Sequence, residues 1–369
     1  MRARRMQNAG KQVTMLSIGD HDIKTDDRIL EVMDASARGG HLGYAAIPGI
    51  RPLRQAIADR VNRRGGAPAG PDNVIVTSGG QGAIYSAMNA AFDTGDGCVV
   101  LDPFYASFDM TVRAAGGEPV IVETRAEDGF QPDAEAIEAA LTPRTRALLI
   151  NSPNNPTGAV YTRERLEAVA ELARRRDLWV ISDELYESQV HDGAHVSIRD
   201  LDGMAERTFM IGSMSKGFAM TGARLGWCVA PEFNIVCQSD LAGTTTYGLP
   251  GFIQDAALHA LTELAETEQE VAARYRRRRD IALEVLSGAN RLGFVPPEGG
   301  MYVMLDVRAT GMSGDEFANR LLDEELIGVM PGESFGNAAA GHIRIAMTVA
   351  DEELRDALAR IVRFAETVT

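Results

Sequence analysis

Between residues 74 and 230, short runs of apolar and β-branched residues alternate with stretches that carry the 3.6-residue period of helices. The runs are continuously apolar, which is typical of parallel strands that helices cover on both faces. We therefore predict an α/β domain with a seven-stranded, mostly parallel sheet. The predicted strands span 74–77, 98–101, 120–122, 147–150, 178–182, 208–212 and 225–230. Between the fourth and fifth of them, Thr162 is the predicted N-cap of a helix with one apolar stripe.

The pattern changes near residue 262. A long charged helix is predicted over 263–287, followed by a Pro-Pro-Glu-Gly-Gly turn at 296–300 and a shorter α/β alternation. The first 39 residues contain little periodic structure, and we expect them to pack against this C-terminal part. The prediction is a large domain over 40–270 and a smaller α/β domain built from both termini, 1–39 and 271–369.

The composition argues against several partners. With 37 basic and 52 acidic residues the formal net charge is −15, which would repel nucleic acid. Basic runs at 174–176 and 276–279 lie in helical patterns beside acidic residues, so we predict solvent-exposed helix faces there. No run of about 18 apolar residues occurs, and we expect no membrane segment. Cys98, Cys228 and Cys237 cannot all pair, and we predict three buried thiols in a cytoplasmic protein.

Polar residues follow the predicted strands at the points where the strands end. Parallel strands end at one edge of the sheet, where ligands bind. The five segments are Ser-Gly-Gly-Gln-Gly at 78–82, Asp-Pro-Phe-Tyr at 102–105, Asn-Ser-Pro-Asn-Asn-Pro-Thr-Gly at 151–158, Asp-Glu-Leu-Tyr at 183–186, and Ser-Met-Ser-Lys with a following Arg at 213–224. The first segment leads into the N-terminus of a predicted helix, where free backbone N–H groups favour a phosphate. It matches neither the dinucleotide-binding nor the nucleoside-triphosphate-binding motif. No metal site is predicted.

These motifs and their joint spacing resemble those of the class I and II aminotransferases, which bind pyridoxal 5′-phosphate (PLP) on the aspartate aminotransferase fold. The resemblance covers nearly the whole chain. It implies that Lys216 binds PLP covalently and moves the substrate's α-proton, and that Asp183 keeps the ring nitrogen protonated. Tyr186 and Asn155 are implied to bond the ring's phenolic oxygen. The other implied cofactor contacts are Tyr105 on the ring face, and Arg224, Ser213, Ser215, Gly80 and Gln81 around the phosphate.

The resemblance also implies how the substrate is bound. Arg344 would bind the α-carboxylate, beside Gly19 and Asn155. Tyr44 would reach the phosphate of the neighbouring subunit, in a homodimer with shared active sites.

Three departures from the family's pattern concern the substrate. The segment at 19–22 reads Gly-Asp-His-Asp instead of Gly-Glu-Pro-Asp, and its histidine, His21, is an open candidate for a substrate contact. Gln81 stands where some relatives have a lysine for a dicarboxylate, and Glu333 replaces the small residue that usually follows Pro-Gly. The changes at 81 and 333 argue against aspartate specificity. A neutral or aromatic donor is therefore favoured over aspartate.

Three functions remain open at this point. The leading one is transfer of an amino group from an L-amino acid to a 2-oxo acid in a ping-pong reaction. A PLP-dependent C–S lyase or cyclopropane-carboxylate synthase would share every cofactor residue. A PLP-binding regulatory domain is the third, but such proteins carry an N-terminal DNA-binding module, and nothing before residue 40 fits one.

Overall fold

The computed structural model describes residues 2–368. Its strands are β1 (Thr14–Met15), β2 (Val74–Ser78), β3 (Gly97–Asp102), β4 (Glu118–Glu123), β5 (Thr145–Asn151), β6 (Trp179–Asp183), β7 (Thr208–Ser213), β8 (Leu225–Val229), β9 (Gly293–Phe294), β10 (Tyr302–Asp306), β11 (Ile327–Gly328), β12 (Met330–Pro331) and β13 (His342–Ala346). Its α-helices are α1 (Arg2–Asn8), α2 (Asp27–Arg38), α3 (Arg51–Asn62), α4 (Gly79–Ala91), α5 (Phe108–Ala114), α6 (Ala134–Ala140), α7 (Arg163–Arg175), α8 (Met214–Gly217), α9 (Glu232–Thr244), α10 (Gly251–Glu263), α11 (Ala265–Leu286), α12 (Gly314–Glu325) and α13 (Asp351–Thr367).

Seven strands form the large sheet, in the order β2-β8-β7-β6-β5-β3-β4. β8 runs antiparallel to both of its neighbours, and the other neighbouring strands are parallel. All seven predicted strands are confirmed, and their ends lie within two residues of the predicted ends. Because β6 is the fourth strand of the seven, its carboxyl end lies at the middle of the sheet edge.

Helices cover both faces of this sheet, which explains why its strands are continuously apolar. Val99 and Val180 pack with α6 and α7 on one face. Ile75 and Val100 pack with α4 and α5 on the other. Helix α7 begins as predicted, because Thr162 Oγ1 accepts the backbone N–H of Arg165 at 3.3 Å. The buried stripe of α7 is Leu166, Val169, Ala170, Leu172 and Ala173.

A second, antiparallel sheet has the order β12-β13-β10-β9. Its apolar face packs with α11, α12 and α13 in a core that includes Ile343, Phe317 and Leu358. Helix α11 corresponds to the long helix predicted over 263–287, although Glu263 ends α10 and α11 starts at Ala265.

The first 39 residues divide between the two parts of the molecule. β1 pairs in parallel with β11, and Leu16 joins the core of the second sheet. Helix α2 instead packs against α10. Its Ile29 lies in the same hydrophobic core as Leu53 and Ala257, and this core packs against the large sheet. In the structure, β1 thus contacts the C-terminal part, and α2 contacts α10. The division into domains at residues 40 and 270 stays a prediction.

Two expectations about individual side chains are wrong. Cys98 and Cys228 are buried, but Cys237 is exposed on α9. The arginines at 174–176 are exposed as expected, whereas Arg278 of α11 is only 2% exposed and binds the carboxylates of Asp22 and Asp351. Consecutive basic residues of a helix do not all face solvent. Because the helix has a period of 3.6 residues, at least one of four consecutive side chains can point towards the core. Between residues 2 and 368, no helix has the length and apolar character needed to cross a membrane.

We expect Thr162→Ala to lower the free energy of unfolding by about 1 kcal/mol, because it removes an N-cap oxygen and leaves a helix N–H without its partner. Thr162→Ser keeps that oxygen and should retain most of the stability. Urea unfolding followed by circular dichroism measures both variants. Equal unfolding midpoints for the Ala variant and the unaltered protein would show that the cap contributes nothing.

Candidate active site

A cavity of about 650 Å³ lies where strands of the large sheet end. The segments after β2, β3, β5, β6 and β7 all contribute to its lining, as the placement of their polar residues predicted. Of the residues that the sequence singled out, those that line it are Gly19, Gly80, Gln81, Tyr105, Asn155, Asp183, Tyr186, Ser215, Lys216, Arg224 and Arg344. Ser213 and Tyr44 do not line it.

Lys216 lies in the short helix α8, directly after β7. Its Nζ donates to the carbonyl oxygen of Gly19 at 2.5 Å and lies 5.8 Å from the centre of the Tyr186 ring. The backbone of Lys216 is held as well, because its carbonyl accepts Nε2 of the buried Gln189 at 3.0 Å. The amine is thus aimed into the cavity from a fixed backbone.

Asp183 is the last residue of β6, the central strand. Burial raises the pKa of its carboxyl to about 7, and the neighbouring Glu184 acts in the same direction. The backbone N–H of Leu185 and the charge of Lys216 oppose this rise only in part. The site therefore favours a positively charged or proton-bearing group against this carboxyl.

Glu184 points away from the cavity into a buried ion cluster. Its carboxylate accepts His195 Nε2 at 2.9 Å, Ser197 Oγ at 2.6 Å and Ser182 Oγ at 2.9 Å. Burial alone would raise the pKa of Glu184, but His195 and Arg64 hold it below its usual value. In return, Glu184 raises the pKa of His195 despite its burial. The pKa of Asp183 is thus raised by burial, whereas the pKa of the adjacent Glu184 is lowered by its cationic partners.

Tyr186 meets a tyrosine that the sequence did not single out. Its hydroxyl lies 3.0 Å from that of Tyr302, the first residue of β10. Burial, together with this hydroxyl, raises the pKa of Tyr186 well above its usual value, so the phenol stays neutral. A neutral phenol is able to donate a hydrogen bond to an anionic oxygen in the cavity.

Arg224 and the start of α4 form one end of the cavity. The residue adopts a left-handed backbone conformation at φ 52°, and its Nη1 donates to the carbonyl of Thr221 at 2.8 Å. A Cβ at Gly79 would collide with its guanidinium, so glycine is required for this close approach. The first N–H groups of α4, which have no acceptor within the helix, are next to this guanidinium. Together they favour an anion.

Ser213 supports this end of the cavity from behind. Its Oγ accepts the backbone N–H of Ser215 at 3.0 Å and lies 2.9 Å from the carbonyl oxygen of Leu225. Ser215 rather than Ser213 lines the cavity. Gln81 lines it too, but its amide is bonded to Thr111 and Ser107.

Arg344 lies on β13 and is 5% exposed. Its Nη1 donates to Asn155 Oδ1 and its Nη2 to the carbonyl of Ser17, both at 2.8 Å. The guanidinium carbon lies 4.3 Å from the ring centre of Tyr302 and 4.6 Å from that of Phe335. Its Nε is buried without a partner within the described chain. A fixed guanidinium with an unused donor suits a carboxylate.

His21 and Glu333, two of the departures from the family's pattern, lie outside the cavity. Burial and the nearby Lys216 lower the pKa of His21 to about 4, and its Nδ1 pairs with the hydroxyl of Tyr275 at 2.9 Å. Glu333 accepts the N–H of Gly314, at the start of α12, and that of Gly341. Both contacts are structural.

Tyr44 is 88% exposed, with its ring centre 5.0 Å from that of Tyr247. Leu42, two residues earlier, is 67% exposed. An apolar patch of this kind on a surface is typical of a protein interface.

The cavity fits a PLP molecule. A phosphate matches the guanidinium of Arg224 beside a helix N-terminus, and a protonated ring nitrogen matches the buried Asp183. An amine that forms a bond with an aldehyde is present in Lys216. The described residues contain no group of three or more His, Cys, Asp or Glu side chains placed to hold a metal ion.

Sequence reasoning missed Tyr302, Phe335 and Asp20 as lining residues. Tyr302 follows the Gly-Gly pair at 299–300, a turn signal that could have drawn attention to it. Phe335 ends a short 3₁₀-helix at Gly332–Phe335, and Asp20 lies in an irregular segment; neither carries a periodic signal.

Comparisons with known proteins agree with this geometry. A family model described as aminotransferase class I and II matches residues 11–361. The arginine–pyruvate transaminase of Pseudomonas aeruginosa is 43% identical over 95% of this chain and 90% of its own length. The aspartate/prephenate aminotransferase of Thermus thermophilus is 39% identical over 98% and 93%. The solved aromatic aminotransferase of Pyrococcus horikoshii superposes with a TM-score of 0.93 at 35% identity, over 99% of this chain and 98% of that one.

The raised pKa of Asp183 predicts a pH-dependent stability in the cofactor-free protein. The folded protein binds this proton more tightly than the unfolded chain does, so the stabilisation is complete below about pH 4. It is lost as the pH rises through about 7, the pKa of the folded state. Asp183→Asn stays neutral at every pH and should therefore raise Tm more at pH 8 than at pH 5.

Thermal unfolding at both pH values checks this expectation. The exposed Asp202 offers a matched control, since Asp202→Asn makes the same chemical change on the surface. An equal Tm change at pH 5 and pH 8 for Asp183→Asn would contradict the assignment.

Proposed function

We propose how the residues of this cavity divide the work of transamination in a chain that belongs to the class I and II aminotransferases. The enzyme uses PLP and moves an amino group from an L-amino acid to a 2-oxo acid. The relatives named above are all transaminases or aminotransferases, and they give the lyase alternative no support. Their names cover arginine, aspartate or prephenate, and aromatic amino acids, so they do not single out one donor.

Lys216 is the proposed catalytic residue. Bound PLP supplies an electron sink that makes the α-proton of the amino acid acidic. Lys216 Nζ would hold the cofactor until the substrate's amino group takes its place, and the freed amine would then take the proton from the substrate's Cα. The observation that supports this assignment most strongly is the direction of Nζ, which is bonded to Gly19 O at the cavity wall and stands beside Tyr186.

Asp183 and Tyr186 adjust the electronic state of the cofactor. Asp183 would hold a proton on the ring nitrogen, because its buried carboxyl accepts a cationic partner in place of its own proton. Tyr186 and Asn155 would donate to the ring's phenolic oxygen. Arg344 occupies Asn155 Oδ1, which leaves the amide NH2 of Asn155 for this bond.

The remaining assignments concern the ends and faces of the cofactor and the substrate. Arg224, Ser215 and the N–H groups of Gly80 and Gln81 would bind the phosphate, with Ser213 fixing Ser215. Tyr105, which lines the cavity, would lie on the ring face. Arg344 would bind the substrate's α-carboxylate, with Gly19 beside it.

A homodimer with shared sites is also part of the proposal. The exposed patch of Leu42, Tyr44 and Tyr247 supports it, since burial of these side chains against a second copy would remove apolar surface from water. A cytoplasmic location is proposed as well, supported by the three unpaired thiols.

Reduction with borohydride should fix PLP on Lys216. The chain's lysines are Lys11, Lys24 and Lys216, so peptide mapping gives an unambiguous answer. Lys216→Ala should still bind PLP non-covalently but lose turnover by several orders of magnitude. A label on Lys11 or Lys24 would refute the assignment, and Lys24→Ala serves as a control that should keep full activity.

Mixing two inactive variants tests the shared site. A Lys216→Ala protomer keeps Tyr44, and a Tyr44→Ala protomer keeps Lys216, so a heterodimer assembles one complete site if Tyr44 acts across the interface. Part of the activity should then return. Heterodimers that form, as native mass spectrometry would show, and yet stay inactive would place Tyr44 in its own subunit's site or in a purely structural role.

A further inference from the structure

The hydroxyl groups of Tyr186 and Tyr302 form a buried pair at the wall of the cavity. Tyr186 follows β6 of the large sheet, and Tyr302 begins β10 of the second sheet. Their oxygens are 3.0 Å apart, and both side chains are buried. Between residues 2 and 368, neither hydroxyl has another hydrogen-bond partner. The bond between the two hydroxyls therefore connects the two sheets at the cavity wall.

The number of protons in this pair limits how the bond can run. Each neutral phenol has one proton to donate and lone pairs that accept. Under the proposed function, Tyr186 donates its proton to the phenolic oxygen of PLP. It then has no proton left for Tyr302, so the bond between the hydroxyls must run from Tyr302 to Tyr186. A hydroxyl that itself accepts a hydrogen bond is a stronger donor, because the two bonds polarise one another.

The surroundings of Tyr302 hold its hydroxyl in this place. The guanidinium carbon of Arg344 lies 4.3 Å from the centre of the Tyr302 ring, a distance at which a cation is attracted to the ring face. The hydroxyl oxygen lies against the backbone of Gly19, where an added Cβ would collide with it. The carbonyl of Gly19 in turn accepts Lys216 Nζ at 2.5 Å. The Tyr302 hydroxyl is thus confined between Gly19 and Tyr186.

Other titratable side chains face the pair from several elements. They are Asp183, Lys216, Arg344, Tyr105 and Tyr275. Burial raises the pKa of the Tyr105 and Tyr275 phenols, so both stay neutral. In the described part of the chain, none of these five side chains is hydrogen-bonded to either hydroxyl of the pair. Tyr302 is therefore the side chain that can set the direction of the Tyr186 proton.

We propose that Tyr302 is a positioning residue for transamination, whose hydroxyl donates to Tyr186 and directs the Tyr186 proton to the phenolic oxygen of the cofactor. This inference rests on the proposed function of Tyr186. A stronger bond to the phenolic oxygen stabilises the negative charge of that oxygen. The oxygen then attracts the proton on the nitrogen that joins Lys216 to PLP less strongly, so the pKa of this nitrogen falls.

The experiment titrates the absorbance of the PLP-loaded enzyme against pH in Tyr302→Phe, which removes the hydroxyl and keeps the ring. We expect the midpoint of the titration to rise by about 0.3 pH unit, because the lost polarisation weakens a charged hydrogen bond by roughly 10–30%. Tyr186→Phe removes that bond entirely and should raise the midpoint further.

Tyr275→Phe is the matched control. It removes a buried phenolic hydroxyl from the same apolar cluster, but this hydroxyl pairs with His21 Nδ1 at 2.9 Å and not with Tyr186. The midpoint of the Tyr275→Phe enzyme should equal that of the unaltered enzyme. A general loosening of the cluster would shift the midpoint in both Tyr275→Phe and Tyr302→Phe.

A double variant tests whether Tyr302 acts through Tyr186. In the Tyr186→Phe enzyme, adding Tyr302→Phe should not move the midpoint again. Urea unfolding of the cofactor-free protein gives a second readout. Each single variant leaves one hydroxyl of the pair without its partner, whereas the double variant leaves none, so the double variant should be at least as stable as either single one.

Three results would overturn the proposal: a midpoint in Tyr302→Phe that is unchanged or lower, a further shift of the same size in the Tyr186→Phe background, or additive losses of stability in the double variant. A lower midpoint would mean that Tyr186 donates to Tyr302 instead. The failure of the proposed function looks different. In that case no donor in a panel of alanine, methionine, phenylalanine, glutamate and arginine would transfer its amino group from the unaltered holoenzyme to pyruvate, 2-oxoglutarate or oxaloacetate.

Discussion

A carboxyl buried at the centre of the large sheet places demands on the residues around it. Asp183 is 5% exposed, and burial raises its pKa to about 7, so its anionic form needs positive charge close by. Lys216 supplies part of that charge. Glu184, the next residue, increases this demand for positive charge, because His195 and Arg64 keep the Glu184 carboxylate anionic. The buried ion cluster thus makes a proton-bearing ring nitrogen the natural partner of Asp183.

The cavity around this carboxyl is completed by segments from both ends of the chain. Ser17 accepts a bond from Arg344, and Gly19 accepts one from Lys216. Asp102, at the end of β3, accepts the N–H groups of Asn337 and Ala338, which follow Phe335 in the cavity wall. These contacts connect the two sheets. They set how far the guanidinium of Arg344 lies from the amine of Lys216.

Local signals in the sequence predicted the structural features that depend on hydrophobic periodicity or on the position where a strand ends. The seven strands, the cap at Thr162 and the meeting of five loops at one edge follow from such signals. Contacts between distant segments leave no local signal, so the burial of Arg278 and the place of Tyr302 in the cavity were missed. The difference between Ser213 and Ser215 depends on the change from strand β7 to helix α8. The exposure of Cys237 depends on which face of α9 stays uncovered. Neither can be read from residue type.

Asp20 and Asp22 show that two carboxylates of one short segment have different structural importance. Asp22 accepts from both Nη atoms of the buried Arg278, so its replacement would leave Nη2 without a partner and Asp351 as the remaining carboxylate on this guanidinium. Asp20 accepts bonds only from a hydroxyl and a backbone N–H, which an amide oxygen would also satisfy. Thr221, which supplies the hydroxyl, also accepts a bond from Arg224 through its carbonyl. Thr221 therefore links residue 20 to Arg224, the arginine that we propose binds the phosphate, and an amide at residue 20 would keep that link.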